Sequence, residues 1–130
     1  MARAGVLREA WLWGPVLAYV CVIIFLSVQS YVALPTVTPD YLAHAAEYFG
    51  LAILTARALN NGLARCVAPR HILVAFLLCL ACAIVDELLQ KLSSARYSDY
   101  TDVLSDAVGA GLALGVLHLG QRAFLRSDPA

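Results

Sequence analysis

The chain has 130 residues, of which 62% are hydrophobic and 14% are charged, and its formal net charge at pH 7 is zero. Soluble domains contain about 45–50% apolar and about 25% charged residues, so this composition favours a protein that lies in a lipid bilayer. The balanced charge gives no indication of a nucleic-acid-binding protein, which needs a basic surface against the phosphates, so we expect no nucleic-acid partner. A membrane-spanning helix takes about 20 residues, so about four spans with short loops use the whole length. We therefore expect an all-α integral membrane bundle of about four transmembrane helices that forms a single domain over residues 1–130.

Four apolar segments follow one another along the chain. The first is predicted to span residues 11–30, and its length and the lack of a cleavage site favour a retained helix over a signal peptide. The second is predicted over Asp40–Leu59, because Asn60 and the two residues after it are typical of a helix stop. The third, over Pro69–Leu92, begins at a proline, which suits the first turn of a helix. The fourth is predicted over residues 102–124.

Arginine and lysine residues are distributed unevenly over the predicted connections. The N-terminal segment, the connection between the second and third spans and the C-terminal tail carry Arg3, Arg8, Arg57, Arg65, Arg70, Arg122 and Arg126. The connections on the other side carry only Lys91 and Arg96. Because basic residues favour the cytoplasmic side of a membrane, we expect both termini in the cytoplasm. The start of the second span, the end of the third and the start of the fourth then lie at the same outer face.

Many polar side chains lie at those three segment ends, and Gln29 at the end of the first span is a further candidate. Several follow one another at three- or four-residue spacing, which places them on shared helix faces. A charge at the centre of a spanning helix costs about 2.5–3.5 kcal/mol on insertion scales, so the polar groups inside the spans favour a buried network. For Asp99 and Asp102, helix capping is an equally good interpretation. The polar functional site that we predict consists of His44, Glu47, Tyr48, Asp86, Glu87, Gln90, Arg96, Asp102 and Asp106.

Two short motifs receive a packing interpretation. Cys79 and Cys82 form a CxxC, but this lies inside an apolar segment without a second pair of ligands, so we expect packing rather than redox or zinc chemistry. Gly109, Gly111 and Gly115 lie on the fourth segment, and the last two form a GxxxG, the spacing that lets helix backbones approach closely. We expect no metal site and no cofactor.

The ordered set of polar residues resembles the VanZ-like family of small bacterial membrane proteins. That family shows a histidine and a tyrosine four residues apart at the start of one span, an acidic pair and a glutamine at the end of another, and then an arginine, an aspartate and a glycine. The matching residues here are His44, Tyr48, Asp86, Glu87, Gln90, Arg96, Asp102 and Gly109. The resemblance covers about residues 40–115. Where the family usually has an asparagine, this chain has Asp106, which adds an acidic group.

The resemblance implies a multi-pass protein of the bacterial cytoplasmic (inner) membrane, in a family named for a member that raises resistance to the glycopeptide teicoplanin. It does not imply a reaction, so three functions stay open. The first, which we favour, is an envelope resistance or maintenance factor that binds a membrane lipid or a lipid-linked envelope precursor at the outer leaflet. The second is a membrane-embedded enzyme that uses His44 and a carboxylate as acid and base on such a substrate. The third is a structural protein whose polar network only fixes helix register.

Overall fold

The computed structural model describes residues 2–27, 40–92 and 100–127, and in these ranges it contains four α-helices and no β-strand. The helices are α1 (Ala2–Ser27), α2 (Asp40–Leu59), α3 (Pro69–Leu92) and α4 (Tyr100–Ser127). Three of them hold segments that are long and apolar enough to cross a membrane, namely Arg3–Ser27, Pro69–Lys91 and Tyr100–Phe124. The predicted fold class, an all-α membrane bundle, is confirmed.

Helices α2 and α3 lie at the centre of the bundle. Each packs against the other three helices, whereas α1 and α4 do not contact each other within the described ranges. The sequence of α2 carries Asp40, Glu47 and Arg57, and α2 is not among the three helices that qualify as spans by length and composition. His44, Tyr48 and Thr55 of α2 are buried, so this part of its polar surface meets protein instead of lipid.

The ends of the helices follow local sequence signals. The bounds of α2 and α3 agree with the predicted segments, whereas α1 and α4 extend beyond theirs and begin at Ala2 and Tyr100. Helix α2 ends in a left-handed turn, with φ of 58° at Asn61 and 116° at Gly62. The Gly62 N–H donates to the Arg57 carbonyl at 2.8 Å, and the Asn61 N–H donates to the carbonyl of Ala58 at 3.2 Å. These two bonds form a Schellman motif, which ends the helix where the sequence predicts a stop.

Two amide side chains hold the connection between α2 and α3. Asn60 Nδ2 donates to two carbonyls of the connection at 3.1 and 3.2 Å, and Asn60 Oδ1 accepts from His71 Nδ1 at 3.0 Å. Gln121 of α4 accepts from the Val67 N–H at 2.9 Å and donates to the carbonyl of Leu63 at 3.0 Å. The irregular backbone at this end of the bundle therefore has side-chain partners, as a segment beside a membrane requires.

A proline inside α1 is compensated by a residue of α2. Pro15 has no N–H, so the carbonyl of Trp11, four residues earlier, loses its intrahelical donor. Arg57 Nη1 donates to this carbonyl at 3.3 Å, and the guanidinium carbon lies 5.4 Å from the centre of the Trp11 ring. Arg57 thus replaces the missing backbone donor and also makes a cation–π contact.

The closest approach between helices lies at Gly109 and not at the GxxxG pair. A Cβ built on Gly109 would overlap the backbone carbonyl of Ala45 on α2. A Cβ on Gly111 would come no nearer than 3.8 Å to Phe76, and a Cβ on Gly115 would meet nothing within 4 Å. Both residues lie on an exposed side of α4, so helix packing through Gly111 and Gly115 stays a prediction. Spacing alone does not tell which side of a helix faces its neighbour.

The two glycine environments predict opposite effects of the same substitution. Gly109→Ala forces α4 away from the Ala45 backbone, and overpacking of this kind costs about 1–3 kcal/mol of unfolding free energy. Gly115→Ala meets no neighbour and removes a glycine from a helix interior, so it is neutral or stabilises by up to about 1 kcal/mol. Thermal unfolding of both variants in detergent, followed by circular dichroism, measures the difference. Equal melting temperatures for the two variants would contradict the close contact.

Candidate functional site: a polar cluster at one end of the bundle

Four helix termini meet at one end of the bundle. Helices α1 and α3 end there, and α2 and α4 begin there, because successive helices run in opposite directions. Hydrogen bonds join Ser27 on α1 to Asp86 on α3, and His44 on α2 to Asp106 on α4. We call the buried and half-buried polar residues at this end the polar cluster. Its members are Ser27, His44, Tyr48, Asp86, Glu87, Gln90, Asp102 and Asp106.

One half of the polar cluster is a closed triangle of hydrogen bonds. The Ser27 hydroxyl donates to Asp86 Oδ1. Gln90 Nε2 donates to Asp86 Oδ2 at 3.1 Å and to Ser27 Oγ at 3.0 Å. Asp86 and Gln90 lie four residues apart, so both project from the same face of α3. The three side chains are 2–4% exposed, so water does not reach them. Their hydrogen bonds to one another replace those that they would make with water.

The other half of the polar cluster is a histidine between two carboxylates. Nδ1 of His44 lies 3.2 Å from Asp106 Oδ1, so its N–H donates to that carboxylate. Nε2 of His44 lies 3.9 Å from Asp102 Oδ2. Asp102 and Asp106 lie four residues apart and so share the side of α4 that faces α2. Asp106 is 2% exposed, whereas the side chain of Asp102 is 16% exposed and lies nearer the rim. The imidazole is thereby fixed in orientation.

Tyr48 lies between these two halves. Its side chain is 1% exposed, and its hydroxyl is the one polar atom of the described part of the polar cluster that is fully enclosed without a hydrogen-bond partner. It lies within electrostatic range of both Asp86 and Asp106. Asp86 is likewise within range of His44. Both halves of the polar cluster therefore lie near the Tyr48 side chain.

The remaining predicted site residues lie at different distances from this unit. Glu87 is buried, at 6% exposure, on α3 beside Asp86. Glu47 is half-buried and lies within electrostatic range of Tyr19 on α1. Arg96 lies outside the described residues, as does Gln29.

The sequence interpretation missed one member of the cluster and undervalued another. Ser27 was treated as part of an apolar span, although it hydrogen bonds to both Asp86 and Gln90. Its only sequence signal is a hydroxyl within the last turn of an apolar helix. Asp106 was singled out as a departure from the family pattern, and it makes the direct hydrogen bond to His44. An asparagine oxygen would accept the same N–H, so the two residue types can play the same geometric part here.

A narrow pocket opens beside the polar cluster, between α1, α2 and α3. Its volume is about 210 Å³, and Tyr48 and Asp86 supply its polar lining. The other walls are apolar side chains of three helices, including Ile24, Leu78 and Val85. These three are 36–50% exposed, so the pocket opens sideways, on the surface that lipid would cover.

Ligand-type side chains elsewhere are dispersed. Within the described ranges, no three side chains of the metal-binding kinds converge closely enough to hold an ion. The cysteines are free thiols. Cys79 is buried in the core, and Cys82 is half-buried and lines the pocket.

Comparison of the chain with protein-family models, with curated proteins and with solved structures found no match.

The His44–Asp106 pair predicts a non-additive response to substitution. Asp106→Leu leaves the His44 N–H buried without an acceptor, which costs about 1–3 kcal/mol of unfolding free energy. Replacing both partners by leucine removes the two polar groups together and costs less than the single change. Asp106→Asn keeps an acceptor and has the smallest effect. Thermal unfolding in detergent checks the order, with Leu104→Ala on the exposed side of α4 as the control. A double variant less stable than Asp106→Leu would contradict the pairing.

Proposed function

We propose that this protein is a VanZ-like protein of the bacterial cytoplasmic membrane and contributes to resistance against glycopeptides of the teicoplanin type through the polar cluster. The cluster opens to the outer leaflet, where it binds a membrane lipid or a lipid-linked envelope precursor. The observation that carries the proposal is the convergence of Ser27, His44, Asp86 and Asp106 from four different helices on one buried unit.

The free energy of that arrangement supports a functional role. Ionisable side chains are rare inside membrane proteins because their burial costs free energy. Where they occur, they usually belong to ligand or ion sites. A buried polar network that only fixes helix register can be exchanged for apolar residues of similar volume without loss. This cluster holds several carboxylates close together, and their mutual repulsion lowers the stability of the fold. Stability alone therefore does not account for the arrangement. The ordered polar residues that resemble the VanZ-like family fall largely within it, which supports the same assignment.

The pocket beside the cluster supports an amphiphilic ligand. Binding sites for small molecules are mostly apolar with a few placed polar groups, and this pocket has that composition. It lies between helices and opens to the lipid-facing surface, so a membrane amphiphile reaches it without crossing water.

The direct test is drug susceptibility. Glu87→Gln keeps the size of a buried side chain and removes its carboxylate. In a teicoplanin-susceptible bacterial host, the native chain raises the minimum inhibitory concentration, and we expect Glu87→Gln to return it to the level of the empty vector. Lys91→Gln, one turn further along α3, removes an exposed charge and serves as the matched control, which keeps protection.

Protein abundance in isolated membranes is measured beside susceptibility for each variant. Full protection with Glu87→Gln at equal abundance would remove the polar cluster as a functional site and leave the structural role. No protection by the native chain at normal abundance would contradict the resistance function itself.

A second candidate function is a membrane-embedded acid–base enzyme, and the His44–Asp106 hydrogen bond favours it. A carboxylate on Nδ1 orients an imidazole and sets its tautomer, which leaves Nε2 as the group that takes or gives a proton. In this interpretation Asp106→Asn loses activity although it retains the fold. A purely ligand-binding cluster keeps function with that variant, because the asparagine oxygen still accepts from His44. The same susceptibility assay therefore separates the two functions.

The orientation in the membrane is part of the proposal: both termini in the cytoplasm, four spans, and residues 31–39 and 93–101 outside. Seven basic residues on one set of segments against two on the other support it. Ser94→Cys and the native Cys66 then lie on opposite sides.

Each thiol is tested in a variant that lacks all other cysteines. In intact cells, a membrane-impermeant maleimide should label the Ser94→Cys variant and leave Cys66 unlabelled until the membrane is permeabilised. The reverse pattern would invert the orientation.

A further inference from the structure

From the pocket between the α2–α3 connection and the last turns of α4 we infer a binding site for an anionic phospholipid, whose phosphate group the protein holds at the bilayer surface. The pocket is lined by residues 63–66, Gly120, Gln121 and Phe124, and we call it the connection pocket. It lies at the opposite end of the bundle from the polar cluster. The inference therefore goes beyond the proposed function and does not depend on it.

The end of the bundle that holds the connection pocket is strongly basic. The first turns of α1 and α3, the last turns of α2 and α4 and the described connection carry one acidic side chain, Glu9. The arginines there whose side chains the structure describes are Arg3, Arg8, Arg57, Arg65, Arg70 and Arg122. Within the described residues none of them forms an ion pair. This uncompensated positive charge attracts the anionic lipids of a bilayer surface.

Arg65 brings this charge to the connection pocket. It is exposed and belongs to the pocket wall, so a lipid head group can reach it. Arg57 is already engaged with the Trp11 carbonyl, whereas the guanidinium of Arg65 has no hydrogen-bond partner in the described part of the chain. A guanidinium carries five N–H donors in a planar fork that matches the oxygens of a phosphate. Arg65 is therefore the charged group that we expect to hold the phosphate.

The backbone of the connection supplies further donors to the same pocket. The carbonyls of Leu63 and Arg65 accept hydrogen bonds from Gln121 Nε2 at 3.0 and 3.3 Å. The N–H groups of residues 63–66, in contrast, donate to no other group of the described structure. Gln121 thus holds this backbone against α4 through its carbonyls and leaves four successive N–H groups unused. Successive unpaired N–H groups are a common element of anion sites in proteins.

The surroundings of the pocket favour a phospholipid over a soluble phosphate. Its volume of about 300 Å³ is at the lower limit of the range of about 300–1,000 Å³ for ligand pockets, so it holds a head group and not a whole lipid. Leu112, Val116 and Gly120 follow one another at four-residue spacing and lie on one line along α4. Leu112 and Val116 are exposed, so an acyl chain that leaves the pocket at Gly120 can lie along them in the bilayer.

The experiment titrates the purified full chain in detergent with three lipids that have the same acyl chains. Phosphatidylglycerol carries a net negative charge, phosphatidylethanolamine carries a phosphate and an ammonium group, and diacylglycerol carries no phosphate. Native mass spectrometry counts the bound lipids and gives a dissociation constant for each. Phosphatidylglycerol should bind about tenfold more tightly than phosphatidylethanolamine, and diacylglycerol should bind most weakly.

Two arginines provide a matched pair of charge variants. Arg65 lines the connection pocket, whereas Arg70 is exposed at the same end of the bundle and does not line it. Arg65→Gln should weaken phosphatidylglycerol binding by about tenfold, the effect of one charge-assisted hydrogen bond. Arg70→Gln removes the same charge and should change binding by less than about twofold, because salt screens exposed charges that do not contact the ligand.

A second pair of variants blocks the pocket without changing the charge. A Cβ added at Gly120 meets no atom within 4 Å, so Gly120→Trp can place its ring in the pocket without disturbing the fold. It should lower phosphatidylglycerol binding by about tenfold or more. Leu119→Trp changes the exposed neighbour, which does not line the pocket, and should leave binding unchanged.

Size-exclusion profiles and melting temperatures establish that each variant is folded. Equal binding of the three lipids would mean contact with hydrocarbon only and would overturn the site. Equal losses with Arg65→Gln and Arg70→Gln, or unchanged binding with Gly120→Trp, would indicate general surface charge and would overturn the connection pocket. Glycerol phosphate is added as a competitor. If it binds as tightly as phosphatidylglycerol, the ligand is a soluble phosphate ester and the assignment to a lipid is wrong.

Discussion

The close contact between Gly109 and the Ala45 carbonyl is the constraint on which the polar end of the molecule depends. Gly109 lies three residues after Asp106, and Ala45 directly follows His44. Because the two backbones approach without an intervening side chain, the short carboxylate of Asp106 reaches the imidazole at 3.2 Å. A larger residue at Gly109 would separate the helices and break the pair. The glycine at position 109 thus determines both the distance between α2 and α4 and the geometry of the candidate site.

The two ends of the bundle satisfy their polar groups by different means. At one end, the amides of Asn60 and Gln121 bind backbone groups of the connection between α2 and α3, and this arrangement holds a loop in place. At the other end, side chains bind side chains, several of them acidic, and Tyr48 keeps an unused hydroxyl. Among the described residues, each end holds one enclosed side-chain polar atom without a partner, the Tyr48 hydroxyl and His118 Nδ1. The difference between the ends is therefore one of charge, because only the end that holds Asp86 and Asp106 brings several carboxylates together.

Sequence reasoning predicted the helices well because hydropathy and stop signals act locally. Leu59 ends a helix where two asparagines and a glycine follow, and this signal needs no knowledge of the rest of the chain. The helix faces were harder to predict. The GxxxG spacing of Gly111 and Gly115 is a local pattern, but which side of α4 meets α2 depends on where all four helices pack. Ser27 was not predicted for the same reason, because the role of its hydroxyl depends on the hydrogen bond to Asp86, which lies 59 positions away in the sequence.

The Arg57 bond to the Trp11 carbonyl has a consequence for how the molecule is assembled. Until α2 is present, Pro15 leaves that carbonyl without a donor inside a helix that lies in lipid. Helix α1 therefore reaches its final state only after the chain has been synthesised as far as the end of α2. Residues 11 and 57 belong to different helices, and the hydrogen bond between them forms only when both helices are present. The pair of α1 and α2 is therefore the smallest unit in which the Trp11 carbonyl has a donor. The Arg57 bond thus joins α1 to α2 without any contribution from α3 or α4.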